Sequence, residues 1–423
     1  MNITEKIIAR ASARRSVTPG DVVFADVDKL MVHDVSGPGV IKVFEEWAKK
    51  GIELDKVWNP DRVWIAEDHF VPSADRISAE NITKLTKWAQ KYGIKKHFKY
   101  GLGQYGICHT LSHEEALVLP GEFYVGGDSH TNTTGALGAL AIGLGHTDIA
   151  YAMMHGRIWL KVPETILFKL IGKKPDHIMA KDIILKIISD IGTDGANYKT
   201  MEFSGDAVRE LSMEERLTLT NMTTEAGAKN GIIEPDAVTD AYIHERTKES
   251  YKPVLGDNPQ YVEEFTYEID RLEPIVAKPY SPQNTAVARE LQNIELDKAY
   301  IGSCTGAKLE DLRSAAQILK GKKVKIRTEV LPAAQSIFLK AMKEGLIEIF
   351  MEAGAVVGPP TCGACCGAHM GILAKDEVCV STTNRNFPGR MGHVESQTYL
   401  ASPLVVAASA IRGKITDPRD VSK

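Results

Sequence analysis

Five short apolar runs, each followed at once by a loop of reactive side chains, limit what this chain can fold into. RVWIA (62–66) leads into Glu67, Asp68 and His69, and EFYVGG (122–127) leads into Asp128, Ser129 and His130. KAYIGS (298–303) leads into Cys304, GAVVG (354–358) into a cysteine loop, and EVCVSTT (377–383) into Asn384 and Arg385. Such runs, separated by helix-length stretches, predict repeated strand–loop–helix units with largely parallel sheets, an α/β class. Ligands of open parallel sheets sit beyond the carboxyl ends of the strands. The five loops are therefore expected to converge on one cleft.

A chain of 423 residues is too long for one ordinary core, so two to four domains are expected. We divide it at 1–165, 166–283 and 284–423. The proline- and acid-rich stretch 256–287 lacks helical periodicity and reads as a connection between domains. The formal net charge of −4 argues against a general nucleic-acid or membrane-surface binder. Basic clusters such as ASARR (11–15) and KGKKVKI (320–326) read as solvated faces. The most apolar stretches, 136–145 and 402–411, fall well short of the ~20 residues that span a bilayer. The N-terminus reads as an amphipathic helix without the apolar core of a signal peptide, so a reducing cytoplasm is expected.

Six cysteines in so long a chain imply no disulfide framework. PPTCGACCGAH (359–369) packs Cys362, Cys365 and Cys366 into one loop, loosened by Gly363 and Gly367. Adjacent side chains diverge, so Cys366 is read as a small packing residue. In IGSCTG (301–306), Cys304 falls where a strand turns into a helix, with Leu309, Leu312, Ala316 and Leu319 on one helical face. Backbone N–H groups at such a turn favour thiolate over thiol. Cys304, Cys362 and Cys365 are thus three thiolate candidates. A redox pair fits poorly beside two prolines. Spacing leaves two alternatives open: structural zinc with His369 as fourth ligand, or an iron–sulfur cluster whose remaining iron is open to substrate.

Most histidines here (His97, His113, His146, His155, His177, His244, His393) read as ordinary core or surface groups. His69 and His130 differ, because Asp68 and Asp128 stand beside them on strand-end loops. A carboxylate next to imidazole fixes its tautomer and fits it for general acid–base work. His109, entering a helix in GICHTLSHEEA, is a third candidate. Ser129 beside His130 lacks the GxSxG context of a hydrolase nucleophile. GLGQYG (101–106) formally matches a dinucleotide-binding pattern, but KKHFKY before it is a poor buried strand. A glycine-rich turn that positions His109 is the simpler reading. Arg385 and Arg390 share one loop, and arginine forks bind carboxylates in two parallel hydrogen bonds.

Taken together, EDHFVP, GICH, GGDSHT, GSCTG, CGAC and NRNFPGR, in that order, resemble the aconitase family. Within it, the chain is similar to the large subunits of the isopropylmalate dehydratase and homoaconitase type, over essentially its whole length. The resemblance implies three α/β/α domains around a central cleft, without the swivelling fourth domain of single-chain members. It implies a [4Fe–4S] cluster on Cys304, Cys362 and Cys365 with one open iron. It pairs Asp68 with His69, His109 with Asp128, and His130 with Glu225. It places Asn221, His33, Ser129 and Asn384 near cluster or substrate, and Arg385 and Arg390 on substrate carboxylate. It implies a hydro-lyase that dehydrates and rehydrates a hydroxy di- or tricarboxylate, serving leucine biosynthesis or a related substrate such as homocitrate, citramalate or dimethylmalate. A separate small subunit, in a heterodimer or heterotetramer, would bring the remaining base and a further arginine. An RNA-binding regulator on the same fold is a rival that the acidic charge balance disfavours. Two residues depart from the family pattern: Gly306, where GSCTN is common, and Cys366, where Leu or Ile is common.

Overall fold

The computed structural model describes residues 1–421 and has mixed α/β architecture. Its contacts group into two units. Unit 1 is Met1–Lys169, Ala196–Gly205 and Gly227–Thr266; unit 2 is Leu170–Gly195, Asp206–Ala226 and Tyr267–Lys423.

Unit 1 is organised by a five-stranded parallel sheet, in the order Lys96–Phe98, Val63–Ala66, Lys29–His33, Phe123–Gly126, Leu140–Gly143. Alternate residues of a strand face opposite sides. Leu30, Val32, Val63, Ile65, Phe123 and Val125 join one core cluster, with Ile7, Phe44 and Leu85 from the covering helices. Met31, Trp64, Ala66 and Tyr124 join a second cluster, with Cys108 and Leu111. Burial on both faces explains why these strands read as continuous apolar runs. Fully burying one such side chain stabilises by about 1.5–3 kcal/mol. Trp64, 1% exposed, is the single most demanding position. Lys96–Phe98 lies in the weak KKHFKY stretch; it is a strand, but an edge strand with no buried residue.

Unit 2 is organised by a seven-stranded sheet, in the order Thr285–Val287, Ile275–Ala277, Gln397–Leu400, Val378–Ser381, Lys298–Ile301, Arg327–Val330, Val356–Val357. The last five are parallel, whereas Ile275–Ala277 runs antiparallel to both neighbours. The stretch 256–287 is more than a connection. It contributes the strands Glu263–Glu268, Ile275–Ala277 and Thr285–Val287, and the boundary after Thr266 falls inside it.

All five apolar runs are strands. Val63–Ala66 and Phe123–Gly126 are parallel members of the first sheet; Lys298–Ile301, Val356–Val357 and Val378–Ser381 are parallel members of the second. In each unit the reactive loops therefore leave the carboxyl edge of one sheet.

Candidate active site

In unit 1, three adjacent strand ends bring their loops together. Asp68 is wholly buried, and its Oδ1 lies 2.7 Å from His69 Nδ1 while its Oδ2 accepts the Cys108 N–H at 2.6 Å. Burial alone would raise this carboxyl, but the charge and hydrogen bond of His69, then His33 and the Cys108 N–H, hold it well below the carboxylate range. Asp128 accepts His109 Nε2 at 2.8 Å and the His130 backbone N–H at 2.8 Å. Against its burial, His109, His130 and His33 likewise keep Asp128 ionised. Burial pushes His109 below the ordinary imidazole value even though Asp128 opposes the shift, so a neutral His109 donates from Nε2.

His33 ends its strand with Nδ1 accepting the N–H groups of Val35 at 3.1 Å and Ser36 at 3.4 Å. Its proton is thereby fixed on Nε2, which lies 3.3 Å from Asp128 Oδ2. The His33 and His69 rings stack at 4.3 Å. Ser129 Oγ lies 3.4 Å from His130 Nδ1.

Sequence reasoning missed Asp34 as a site residue. It is buried, and its carboxylate accepts the His69 N–H at 3.0 Å and the Phe70 N–H at 2.6 Å. That clamps the loop carrying His69. Burial first, then the neighbouring Asp68, raises its carboxyl, against His69, His33 and Phe70.

Two groups in unit 1, His33–Asp34–Asp68–His69 and His109–Asp128–His130, have potential ligand atoms within 4.8 Å of one another. Backbone N–H groups and imidazoles already occupy the carboxylates of both. These residues make an acid–base network.

In unit 2, Cys304, Cys362 and Cys365 are buried, at 6%, 7% and 5% exposure, on the loops that follow two parallel strands, Lys298–Ile301 and Val356–Val357. Cys304 sits on the helical turn Ser303–Gly306, entered through Ser303 at φ 79°, a left-handed conformation that a non-glycine residue rarely adopts. Asn221 donates to Cys304 Sγ at 3.1 Å. Asn384 joins two of the sulfurs: its Nδ2 lies 3.7 Å from Cys304 Sγ and its Oδ1 3.7 Å from Cys365 Sγ. The Tyr300 hydroxyl donates to the Cys362 carbonyl at 3.1 Å and props the loop. Gly363, at φ 54°, lies so close that an added Cβ would meet that hydroxyl at 2.6 Å. Cys366 is only half-buried. Gly306 is fixed by packing, since a Cβ there would meet the Thr382 side chain at 2.2 Å.

Glu225, wholly buried, accepts Arg385 Nε at 2.9 Å, leaving the terminal nitrogens of a partly exposed guanidinium for another anion. Arg390 lies five residues on in the same loop, its N–H bonded to the Phe387 carbonyl at 3.0 Å. Lys181, which carried no sequence signal, donates to the Thr382 and Thr383 carbonyls just before Asn384.

The donor set favours one of the two metal readings. Among the described residues the three sulfurs do not lie within 4.8 Å of one another, with or without His369. A single tetrahedral ion draws its ligands to ~2.3 Å from itself, closer together than that. Spaced cysteines, with the Cys304 sulfur receiving amide N–H bonds from Asn221 and Asn384, suit a larger, polynuclear sulfur centre.

Parallel sheets with thiolate loops at one carboxyl edge and carboxylate–imidazole pairs at the other define the class, and the chain belongs to the aconitase family. The model of the aconitase family (aconitate hydratase) matches residues 5–292 and 285–413. The chain is similar throughout to proteins named 3-isopropylmalate dehydratase large subunit. That of Aquifex aeolicus is 48% identical, covering 100% of this chain and 98% of the relative. That of Heliobacterium modesticaldum is 49% identical, covering 100% and 99%. A Pyrococcus furiosus large subunit is also 49% identical over 100% of this chain and 99% of its own. Among solved structures, Thermococcus kodakaraensis aconitase X in its holo form shares the fold, with TM-score 0.52, 15% identity and coverage of 88% of this chain and 89% of that one.

Proposed function

We propose that this chain is the large subunit of a 3-isopropylmalate dehydratase, a hydro-lyase that moves a hydroxyl between neighbouring carbons of a diacid in leucine biosynthesis. Its site would be three buried thiolates, Cys304, Cys362 and Cys365, holding a [4Fe–4S] cluster. The observation that carries this reading is the bridging of Cys304 and Cys365 by Asn384, in a set of sulfurs too spread for one ion. When bound, the cluster supplies a Lewis acid, its iron without a protein ligand, for the substrate hydroxyl and carboxylate.

The chain's own residues do the rest. Hydroxide is a poor leaving group and must be protonated as it departs. His69 has Nδ1 committed to Asp68, so Nε2 is the nitrogen that delivers this proton. Asp34 holds the His69 backbone and limits how far the imidazole can swing. His109 with Asp128, and His130 with Ser129, form a second set of donors for the substrate's oxygens. Arg385, steadied through Nε by Glu225, would clasp a substrate carboxylate with its terminal nitrogens, and Arg390 would assist. Asn221 donates to sulfur and tunes the thiolate.

A separate small subunit would supply the base that removes the carbon-bound proton, in a cytoplasmic heterodimer or heterotetramer. The segments 1–165, 166–283 and 284–423 are the divisions we propose for the three family domains. No helix among the described residues is long and apolar enough to cross a membrane.

The test is anaerobic reconstitution with iron and sulfide, mixing with the cognate small subunit, and assay on a panel of hydroxy diacids. Turnover of isopropylmalate above homocitrate, citramalate and dimethylmalate is expected. Turnover of another member alone would replace the substrate; equal turnover without iron would end the reading.

A further inference from the structure

Three lysines, Lys181, Lys298 and Lys308, are among the largest fully buried side chains. Two of them are paired. Lys298 Nζ lies 2.9 Å from Glu329, and Lys308 Nζ lies 2.7 Å from Asp311. Lys181 is not. Its partners among the described residues are two backbone carbonyls, of Thr382 and Thr383, and no carboxylate lies within ion-pair distance. Desolvating an ammonium costs several kcal/mol (order of magnitude), and neutral carbonyls offset only part of that.

The placement makes the cost larger. Lys181 is the second residue of the helix Ala180–Ile191, whose positive dipole end disfavours a cation. Burial lowers its ammonium to about 8, against the attraction of Glu225 and of the Cys365 and Cys304 sulfurs. Glu225, the acid that attracts it most, is already bonded to Arg385. What faces this cation from the carbonyl side is the loop Thr382–Asn384, which joins the Cys304 and Cys365 sulfurs through Asn384.

We infer that Lys181 is the resident counter-charge of the anionic sulfur centre held by Cys304, Cys362 and Cys365, and that it positions Asn384 through the two carbonyls it binds. The inference rests on the cluster reading given above. Three thiolates around an iron–sulfur core carry net negative charge. A fixed ammonium behind the loop offsets it, and is itself repaid only when the centre is present.

This makes a sign-reversing test possible with Lys181→Met and Lys181→Arg in the full chain. Without cluster, Lys181→Met is expected to melt at or above the wild-type temperature, because an unpaired buried charge has been removed. With cluster, the same variant is expected to melt below wild type and lose iron faster. Its reduction midpoint should move to more negative potential, by about tenfold in the reduced-to-oxidised ratio, ~59 mV for one electron. Lys181→Arg should keep the wild-type midpoint. A cluster-free Lys181→Met chain that melts early or fails to fold overturns the inference, since the carbonyl bonds and not the charge would then matter. So does a loaded Lys181→Met chain with an unchanged midpoint. Wild-type protein that takes up no iron and sulfide at all overturns the cluster reading itself.

Discussion

The two units differ in how they partner the charged groups around their sites. In unit 1 each site carboxylate already has its partners: Asp34 takes the His69 and Phe70 N–H groups, Asp68 takes His69 and Cys108, and Asp128 takes His109 and His130. In unit 2 amide donors point at the Cys304 sulfur, and among the described residues the buried Lys181 ammonium has no carboxylate within ion-pair distance. The difference separates what the chain organises alone from what a bound group completes. Acid–base chemistry needs a fixed tautomer and a fixed ring, and backbone N–H groups supply both. A sulfur centre needs its ligands held apart, with charge set aside for what they will bind.

The largest effect that could break this contrast is at the sulfurs. Cys304→Ser, Cys362→Ser or Cys365→Ser should abolish turnover and iron uptake together, while the circular dichroism of the cluster-free chain stays that of wild type. Cys366→Ser, on the half-buried neighbour, should do neither. Next is the proton donor. Asp68→Asn removes the charge that sets His69 and should lower kcat by about 10²–10⁴-fold, with iron content unchanged. If iron is lost as well, Asp68 serves more than the proton donor.

A third prediction concerns pH and lies outside the site. Burial raises Glu202 to about 7 from its ordinary 4.5, against its hydrogen bond from Tyr261. A folded carboxyl raised above its unfolded value binds more protons folded than unfolded between those limits. Its contribution to stability is full below the unfolded value, is lost as pH rises from 4.5 to about 7, and is level above that. The change is at most about 3 kcal/mol, and Glu202→Gln should flatten that part of the melting-temperature profile. The smallest expected effect is at Gly306. Asparagine there would drive a Cβ into Thr382. Gly306→Asn should cost about 1–3 kcal/mol, read by denaturant unfolding, and Thr382→Ala should not recover it, since the clash is with Cβ and the Thr382 carbonyl oxygen.

Much of this was legible in the sequence. Four of the five strands are buried for most of their length and had to be apolar runs; the fifth, Val356–Val357, is an edge strand with Val356 exposed, yet it was visible too. Carboxylates adjacent to histidines marked Asp68–His69 and Asp128–His130, because the partners are neighbours in the chain. Residues that act across long sequence separations were missed. Asp34 reaches a backbone N–H 35 residues away, and Lys181 reaches carbonyls 201 and 202 residues away. Lys181 belongs to no motif and could pass for a surface residue, whereas Asp34 stands beside His33 at a strand end, the signal that marked Asp68–His69. Zinc and cluster could not be separated by spacing along the chain, because the discriminating quantity is the distance between sulfurs. Gly306 looked like a departure in polar contact beside the site, whereas the structure makes it a packing requirement.

The most direct test is metal and acid-labile sulfide analysis of anaerobically prepared chain, with Mössbauer spectra recorded before and after adding a hydroxy diacid. A polynuclear iron–sulfur signal in which substrate perturbs a single iron is the expected result. Stoichiometric zinc without sulfide, or spectra that substrate leaves untouched, would contradict it.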